Sequence, residues 1–488
     1  MDVIFLTAVV GKDKTLFRPL GAYQLAWYLR KFDYQVQVID FIHRFIEEEI
    51  NAAIDRYVTT ETKILGFGPM ITLSEQGDFN KKMERVLLHC KKKYPWLKIV
   101  AGGSAAHYYT KKYKNKILFD YIFIGHAEDS LLAFCNHVYR NAPPVMFENL
   151  EGNRVIKETF VFPQIEKKFK IEECAHIWHE TDYIQPKETL PLEFGRGCIF
   201  ACKFCQYPYI GKEKNDFNRD MELVKFEIIN NYEKFGTTSY YLVEDTFNAN
   251  RDRIAAFGKM IESLPFKITY STYLRLDLIA RWPEQEEVLP MSGLLGCYFG
   301  IESLNDDAAR LIGKGWNSKN AREYMPYLYK KWQDKIGFRI GMIAGLPPET
   351  YENLLETHQW LVDNGFPNWQ WHALTINRDR INTYQSDFDR NAENYGFEFI
   401  SDNGKNIWKT PYCDFNQALD WWDKLRNLAK PHQKLAWMQL LEVQGLGFDP
   451  HAYKKKFIEN IDWKIINTAR NKFLSNYYDQ LMKRSHRA

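Results

Sequence analysis

Three closely spaced cysteines are the residues with the most specific chemistry in this sequence. Cys198, Cys202 and Cys205 have the spacing C-x3-C-x2-C, directly after the predicted strand Leu190–Gly197. Thiolates bind zinc or iron–sulfur clusters. Three close ligands with no local fourth favour a four-iron cluster in which one iron stays open to a substrate or cofactor. The spacing therefore predicts a [4Fe–4S] site with these cysteines as its metal ligands.

Two other interpretations of the cysteines stay open at the level of sequence. A structural zinc site would need a fourth ligand from elsewhere, and His176 and His179, beside Cys174, could supply it. Alternatively, the three cysteines could be unrelated structural residues.

Composition limits the class of protein. The chain has 488 residues, of which 45% are hydrophobic and 26% charged, as in globular proteins. Eight cysteines are too few for a disulfide framework. A net charge of +3 gives no strong overall field toward nucleic acid or anionic lipid, so a nucleic-acid partner is not supported.

No segment has the pattern of an export signal or a membrane span. The apolar run Val3–Val10 lacks a basic region before it and is typical of a buried strand. No window approaches the roughly 18 apolar residues that a spanning helix needs. We therefore expect a cytoplasmic protein with no membrane partner.

The amino-terminal part, residues 1–142, alternates short apolar strands with amphipathic helices. Five such strands predict an α/β domain with a doubly wound, Rossmann-like parallel sheet. Ligands of these sheets bind beyond the carboxyl ends of the strands. Glycines lie at those ends and are candidates for lining a cofactor cleft, although each could simply form a short turn: Gly66, Gly68, Gly102, Gly103 and Gly125.

A second alternating series follows a predicted linker at residues 143–187. Six predicted strands between residues 188 and 380, most of them separated by helical stretches, indicate a partial (β/α)6 barrel of the TIM type. Residues 381–488 are predicted to form a mainly helical region that closes the barrel and selects substrate. Its tryptophans form either a helical core or a stacking surface for substrate.

The cysteine segment and the barrel resemble the radical S-adenosylmethionine (radical SAM) enzymes. That family has C-x3-C-x2-C with an aromatic residue just before the last cysteine, here Phe204. The segment Tyr240–Phe247 is similar to the family's second strand, and Gly300–Ser303 to its "GIES" strand. The turn Gly345–Thr350 is similar to "GLPGET", with Pro348 in place of glycine.

The resemblance implies both cofactors and chemistry. A [4Fe–4S] cluster would bind S-adenosylmethionine at its open iron and reduce it to a 5'-deoxyadenosyl radical that abstracts hydrogen from substrate. The barrel would shield that radical from water. Contacts to S-adenosylmethionine or substrate are expected from five polar residues, each of which could instead only cap a strand or pair with a neighbour: Glu244, Asp245, Arg275, Glu302 and Ser303.

The amino-terminal domain resembles the cobalamin-binding domain that precedes many radical SAM barrels. The similar segments are Pro19–Gly21, Val36–Asp40, Ile99–Gly103 and Asp120–Glu128, and Glu128 is expected to contact the cofactor. The motif D-x-H-x-x-G, which supplies a histidine to cobalt in other cobalamin proteins, is missing. Cobalamin would then bind without that histidine, or the domain is degenerate and binds nothing.

The resemblance favours a cobalamin-dependent radical SAM methyltransferase that acts on an unactivated carbon of a small molecule, peptide or protein. It would take electrons from a one-electron reductant such as a flavodoxin or ferredoxin. The alternatives are a radical cyclase or rearrangement enzyme, a methylthiotransferase and a non-catalytic cobalamin or metal sensor. A methylthiotransferase would use Cys90, Cys135 and Cys174 for a second cluster.

Overall fold

The computed structural model of the chain forms two compact units. It describes residues 1–10, 15–71, 76–103, 118–142, 160–161, 169–205, 218–378, 385–402 and 405–483. The first unit contains residues 1–191, 226–237 and 464–488, and the second contains residues 192–225 and 238–463. Most of the predicted linker, residues 143–159 and 162–168, lies outside the described residues, as do residues 381–384 and 484–488 of the predicted tail.

This division differs from the predicted boundaries, which place residues 188–380 in the barrel and residues 381–488 in a separate tail. Residues 226–237, predicted as part of the barrel, pack in the first unit, where Lys187 N donates to Phe235 O over 2.8 Å. The last helix, predicted as part of the tail, also contributes residues 464–483 to the first unit. There Tyr477 packs its ring edge-on against Phe41, 5.2 Å away. Neither contact has a local signal in the sequence.

The first unit contains the predicted doubly wound sheet. Its described strands lie in the order β3-β1-β4-β6-β7-β8, and all of them are parallel. The five predicted strands are confirmed, and Phe160–Val161 adds a short sixth strand at the edge. The three strands β1, β3 and β4 are wholly buried because helices cover both faces. The strands are β1 Val3–Leu6, β2 Val9–Val10, β3 Val36–Ile39, β4 Ile64–Phe67, β5 Met70–Ile71, β6 Lys98–Ala101, β7 Tyr121–Phe123 and β8 Phe160–Val161, and the helices are α1 Leu20–Arg30, α2 Glu47–Tyr57, α3 Gln76–Lys93 and α4 Glu128–Arg140.

The barrel sheet follows chain order, β14-β13-β12-β11-β10-β9, with parallel pairing from β10 to β14. This order among the described strands is that of a partial (β/α) barrel, as predicted. The carboxyl ends of its strands lie at one edge, where the sites of such folds are built. The strands are β9 Leu190–Leu192, β10 Ser239–Leu242, β11 Thr269–Leu274, β12 Leu294–Glu302, β13 Gly337–Ala344 and β14 Trp369–Ala373, and the helices between them are α5 Met221–Phe235, α6 Arg251–Glu262, α7 Leu276–Arg281, α8 Gln285–Met291, α9 Asp306–Leu311, α10 Ser318–Trp332 and α11 Tyr351–Asp363.

The region after the barrel is mainly helical but also contains an antiparallel strand pair that the sequence pattern did not predict. The antiparallel strands Glu398–Asp402 and Lys405–Lys409 form it. Trp408, 1% exposed, packs among buried residues and donates its indole N–H to Leu374 O over 3.1 Å, so this tryptophan belongs to a core. The elements are α12 Asp387–Arg390, β15 Glu398–Asp402, β16 Lys405–Lys409, α13 Phe415–Ala429, α14 Met438–Gly445, α15 Pro450–Lys454 and α16 Trp463–Lys483.

A buried arginine joins distant parts of the first unit. Arg18, 0% exposed, forms an ion pair with Glu188 at 2.5 Å and donates to Tyr23 Oη and to the carbonyl of Asp182. Burial opposes its charge, but Glu188 outweighs that effect and raises the pKa of Arg18. Both charges are thus satisfied only because segments more than 160 residues apart in sequence meet here.

We predict that Arg18→Ala lowers the free energy of unfolding of the first unit by about 3–5 kcal/mol, because it leaves Glu188 buried without its charge partner. Urea denaturation monitored by circular dichroism measures this change. The matched control is Arg85→Ala, which removes an exposed pair with Glu47 and should cost less than about 1 kcal/mol. Equal effects of the two substitutions would contradict the importance of the buried pair.

Candidate active site

The three cysteines lie on a loop after β9 that the barrel holds through backbone contacts. Lys203 N donates to Ile312 O over 3.0 Å, and Cys205 N donates to Cys202 O over 3.0 Å in a turn. All three thiols are partly exposed, whereas the five other cysteines are buried. The loop therefore presents its thiols at the carboxyl edge of the barrel sheet.

Side chains from neighbouring strand ends surround the thiols. Cys198 Sγ lies 3.3 Å from Thr246 Oγ1, beyond β10, and Arg275 Nη1 lies 3.9 Å from Cys202 Sγ, beyond β11. The guanidinium of Arg275 also stacks on Phe200, 3.9 Å from the ring centroid. A cation next to thiols stabilises their thiolate form, which is the form that binds metal.

The thiol loop offers three ligands to a metal site. Its thiols are partly exposed, and the guanidinium of Arg275 lies beside them. In a [4Fe–4S] cluster each of three thiolates binds a different iron, and the fourth iron stays open. The chemistry and setting of the thiols therefore fit a [4Fe–4S] cluster.

The predicted zinc alternative has no support in the geometry. In the first unit, Gln24 donates to Cys174 Sγ over 3.1 Å, and its amide oxygen lies 3.2 Å from His176 Nδ1. His179 Nδ1 lies 2.8 Å from Thr181 Oγ1 in a 3-10 turn. The two candidate fourth ligands, His176 and His179, thus have structural partners close by, as does the neighbouring Cys174.

Arg275 is held in place by its own neighbour. Asp277 accepts from Arg275 Nε at 3.0 Å and from Nη2 at 2.8 Å. Burial disfavours the charged guanidinium, but the hydrogen bonds with Asp277 outweigh it and raise the pKa of Arg275. The guanidinium therefore remains a fixed cation at the thiol loop.

Glu302 ends β12 in a strained conformation beside a lysine. Its φ is +71°, a region that non-glycine residues seldom adopt. Lys314 Nζ lies 3.5 Å from Glu302 Oε1 and donates to Gly300 O over 2.6 Å. Burial raises the pKa of Glu302, and Lys314 offsets part of that rise. Sequence analysis did not single out Lys314, because only the turn after α9 brings it back to the strand.

Ser303 and Arg275 line one open cavity of about 390 Å³, together with Gly300, Lys314 and Trp316. Ser303 Oγ donates to Glu349 Oε1 over 2.9 Å. Glu349 is 1% exposed, and its other carboxylate oxygen has no hydrogen-bond partner among the described residues. Burial raises the pKa of Glu349 to about 8, and the bond from Ser303 offsets only part of this rise.

The predicted contacts Glu244 and Asp245 follow β10. Glu244 pairs with Arg253 at 2.5 Å, and Arg253 also donates to Asn218 Oδ1 over 3.0 Å and to the carbonyl of Phe247. The structure thus gives Glu244 a role in holding α6. Asp245 is half-buried at the strand end, and its contact with a cofactor stays a prediction.

Phe204 contributes to the position of the cysteine loop. Its ring packs against a buried cluster that includes Phe388, and Phe388 N donates to Lys203 O over 2.9 Å. Lys203 Nζ lies 3.0 Å from Asp387 Oδ2. Hydrogen bonds from Tyr395 and Lys203 outweigh the burial of Asp387 and lower its pKa. Segments far apart in sequence therefore hold the loop from both sides.

In the first unit, three of the predicted glycines meet at the carboxyl edge of the sheet. A Cβ on Gly103, whose φ is +81°, would lie 3.7 Å from Gly68 O, and a Cβ on Gly68 would lie 3.8 Å from Gly102 O. Gly68 follows β4, and Gly102 and Gly103 follow the neighbouring strand β6. They lie next to the point between β1 and β4 where the strand order reverses direction, and such switch points form ligand crevices. The backbones are close enough there to present peptide groups to a ligand.

The remaining predicted residues of this unit have structural roles in the described contacts. Gly66 lies inside β4, where a Cβ would overlap the ring of Phe5. Gly125 has φ of +81° in the turn after β7. Glu128 is buried in the first turn of α4, where a carboxylate interacts favourably with the helix dipole. Cofactor contacts by these residues stay predictions.

Among the helices in the described parts of the chain, none is both long and apolar enough to cross a membrane.

The class of protein follows from comparison of the barrel with known families. Residues 192–361, which contain the cysteine loop and strands β10 to β13, match the radical SAM superfamily. This match covers the barrel part of the chain and supports an enzyme with a barrel of the radical SAM type, whose cofactors are a [4Fe–4S] cluster and S-adenosylmethionine. This agrees with the resemblance carried by the cysteine spacing.

Particular relatives share most of the chain. A cytidylyl-2-hydroxyethylphosphonate methyltransferase of Streptomyces wedmorensis is 22% identical over 437 residues, which cover 75% of this chain and 79% of the relative. The fold is similar to that of the radical SAM methyltransferase TsrM from Kitasatospora setae, with a TM-score of 0.67, 12% identity, and coverage of 97% of this chain and 100% of TsrM. It is also similar to the cobalamin-dependent radical enzyme OxsB, with a TM-score of 0.60, 13% identity, and coverage of 99% and 72% respectively.

We predict that Glu349→Gln makes the stability of the protein less sensitive to pH. The folded-state pKa of Glu349 is raised to about 8 from an ordinary value near 4.5, so the folded form binds the proton more tightly and loses stability as pH rises between these values. Glutamine keeps an acceptor for Ser303 but cannot ionise. The melting temperature of the variant should therefore rise relative to that of the wild type between pH 5 and pH 8.

The control for this series is Glu356→Gln, an exposed carboxylate on the neighbouring helix α11. It should show a melting temperature that follows the wild type at every pH. A constant difference between Glu349→Gln and the wild type across this range would contradict the burial of an ionisable group.

We also predict that Asp387→Asn weakens the hold on the cysteine loop, because it removes the charge opposite Lys203. The pair is partly exposed, so its removal should lower the stability of the loop by at most about 1 kcal/mol. This corresponds to an increase of up to about fivefold in the rate of iron release. Iron release from the reconstituted protein to a chelator measures this rate. Asp423→Asn, which removes an exposed pair with Arg426, should leave the rate unchanged, and equal rates in both variants would contradict the prediction.

Proposed function

We propose that the protein is a cobalamin-dependent radical SAM methyltransferase that methylates an unactivated carbon of a small molecule, peptide or protein. The observation that carries the proposal is that one chain contains two sheet edges at which a cofactor can bind. One is the thiol loop with Arg275 on the barrel, and the other is the glycine-lined switch point of the first unit. Each is the part of its fold that ordinarily binds a large ligand.

The relatives support methyl transfer as the reaction. The curated relative that covers three quarters of this chain is named a methyltransferase, and so is TsrM. TsrM has been solved with cobalamin and a [4Fe–4S] cluster bound, and OxsB with aqua-cobalamin bound. Methyl transfer with these cofactors is therefore the most economical function for a chain with this fold.

The residues of the barrel edge have distinct roles in this proposal. When bound, the cluster supplies the electron that cleaves S-adenosylmethionine. Cys198, Cys202 and Cys205 hold it, and Arg275 adds a fixed positive charge beside two of the thiolates. Glu302 and Lys314 present paired hydrogen-bonding groups at the end of β12.

Ser303 and Glu349 contribute a hydrogen-bonded pair to the same edge of the barrel sheet. A neutral Glu349 donates or accepts at Ser303 without adding a charge to the cavity that Ser303 lines. Because Glu349 is buried and its pKa is raised to about 8, it stays protonated at neutral pH. Glu349 therefore adds no negative charge next to Ser303.

The first unit offers backbone rather than a metal-binding side chain to cobalamin. Gly68, Gly102 and Gly103 leave room for close approach of a planar ligand at the switch point. The described edge therefore fits a large ring without a histidine from the missing D-x-H-x-x-G motif. Electrons would come from a one-electron donor such as a flavodoxin or ferredoxin.

The test is anaerobic reconstitution with iron, sulfide and methylcobalamin, then incubation with S-adenosylmethionine and a strong one-electron reductant, followed by assay for 5'-deoxyadenosine and S-adenosylhomocysteine. We expect both products, because one S-adenosylmethionine would remethylate cobalamin and another would supply the radical. Cys202→Ala should abolish both. Deoxyadenosine without S-adenosylhomocysteine would contradict methyl transfer, and the absence of both would contradict radical chemistry.

The matched control is Cys90→Ala, which removes a buried thiol on α3. We expect this variant to keep the iron content and both products of the wild type. Loss of about half of the iron in Cys90→Ala would instead indicate a second cluster, as in a methylthiotransferase.

A further inference from the structure

The interior face of the barrel continues below the thiol loop as three layers of side chains. Alternate residues of a strand share one face, so Ser271, Tyr273 and Arg275 lie on the interior face of β11 and its end. In β12 the same face carries Gly296, Tyr298 and Gly300, and Tyr273 is in register with Tyr298. The tyrosines therefore lie two residues, or about 6–7 Å along the strand, below Arg275.

The lowest layer is closed by the segment that begins α14. Ser271 Oγ donates to Trp437 O over 3.2 Å, and a Cβ on Gly296 would lie only 2.5 Å from the Cα of Trp437. Leu440 approaches Gly337 in the same way from this segment. The carboxyl-terminal region thus forms a floor at the amino end of the barrel strands.

Trp437 holds this position in an unusual backbone conformation. Its φ and ψ are 49° and −127°, which places a bulky residue in a sparsely populated region. Its ring lies 4.7 Å from that of Tyr273 and 5.1 Å from that of Tyr298. Strain of this kind persists where the surrounding contacts require one orientation of the side chain.

The middle layer also contains a polar pair. Tyr298 Oη lies 3.2 Å from His372 Nε2 on β14. To reach it, the tyrosine crosses β13 at Gly341, where a Cβ would lie 2.7 Å from Tyr298 Cζ. Any side chain at position 341 would therefore separate the pair.

This layer is open rather than filled. Tyr273 is 37% exposed and His372 is exposed, although both belong to strands of the barrel. Arg339, in register with Tyr298, is buried and donates to Asn368 Oδ1 over 2.9 Å, and Glu302 lies above. Aromatic faces with a few fixed polar groups are the usual lining of small-molecule sites.

From these contacts we infer that Tyr273, Tyr298, His372 and Trp437 form a substrate subsite for a planar aromatic or heteroaromatic group that carries a hydrogen-bonding substituent. The rings supply rigid contact area to the plane of the group, and the Tyr298–His372 pair binds its substituent. This inference rests on the proposed function, because it names the substrate class of the same enzyme. It goes beyond that function in assigning residues that neither the cysteine motif nor the glycine edge contains.

The test is binding of small probes to the reconstituted full chain without S-adenosylmethionine or reductant. Phenol and indole combine a planar ring with a hydrogen-bond donor, whereas cyclohexanol lacks the plane and toluene lacks the donor. Saturation-transfer NMR titrations give their relative affinities. We expect phenol and indole to bind at least about threefold more tightly than both comparison probes.

Variants assign the binding to this layer. Tyr298→Phe keeps the ring but removes the hydroxyl, and His372→Ala removes its partner, so each should weaken phenol binding by about 3- to 10-fold. Tyr327→Phe, at an exposed tyrosine on α10, and His451→Ala, at an exposed histidine on α15, should leave it unchanged. Thermal melts followed by circular dichroism verify that each variant is folded.

Two results would overturn the inference. One is equal binding of cyclohexanol and phenol, and the other is unchanged phenol binding in folded Tyr298→Phe and His372→Ala. Because neither S-adenosylmethionine nor reductant is present, these results are independent of the product assay. Failure of the proposed function would appear there instead, as missing S-adenosylhomocysteine in a chain that still binds phenol.

Discussion

The structure depends on one constraint: three thiols of one loop must be held, partly exposed, at the edge of a parallel sheet. A loop of eight residues cannot hold such groups by itself, because neighbouring thiolates repel. Three kinds of contact hold it here, namely the backbone hydrogen bond from Lys203 to Ile312, packing of Phe204 and the positive charge of Arg275. The partners of the loop come from the turn after α9, from the buried cluster that includes Phe388, and from the end of β11.

A second requirement is space inside the folded units, and glycines provide this space. In the barrel, Gly296 and Gly341 admit the backbone of Trp437 and the ring of Tyr298. In the first unit, Gly68, Gly102 and Gly103 bring backbone to the switch point without side chains. In both places glycine acts mainly through the volume that it leaves free, and only Gly103 among these five combines this with a positive φ.

Buried ionisable groups are stabilised in different ways in the two units. Arg18 is paired with Glu188, so its charge is stabilised where water is excluded. Glu349 has no cationic partner among the described residues, and its burial raises its pKa to about 8, so that it is neutral at pH 7. The first arrangement joins distant chain segments, and the second keeps a hydrogen-bonding group at the cavity without adding charge.

Most of the architecture was predictable from local patterns. The alternation of apolar strands and amphipathic helices indicated the two parallel sheets. The spacing of Cys198, Cys202 and Cys205 indicated the cluster. The antiparallel strands at 398–402 and 405–409, which pack on the barrel through Trp408, were not predictable, and neither was the membership of residues 464–483 in the first unit, because both depend on contacts with other segments. The same is true of Lys314 beside Glu302, of Asp387 beside Lys203, and of Trp437 against Tyr298. Short-range periodicity and ligand spacing are encoded within a few residues, whereas the partners of a buried charge or ring are decided only when the chain folds and excludes water around them.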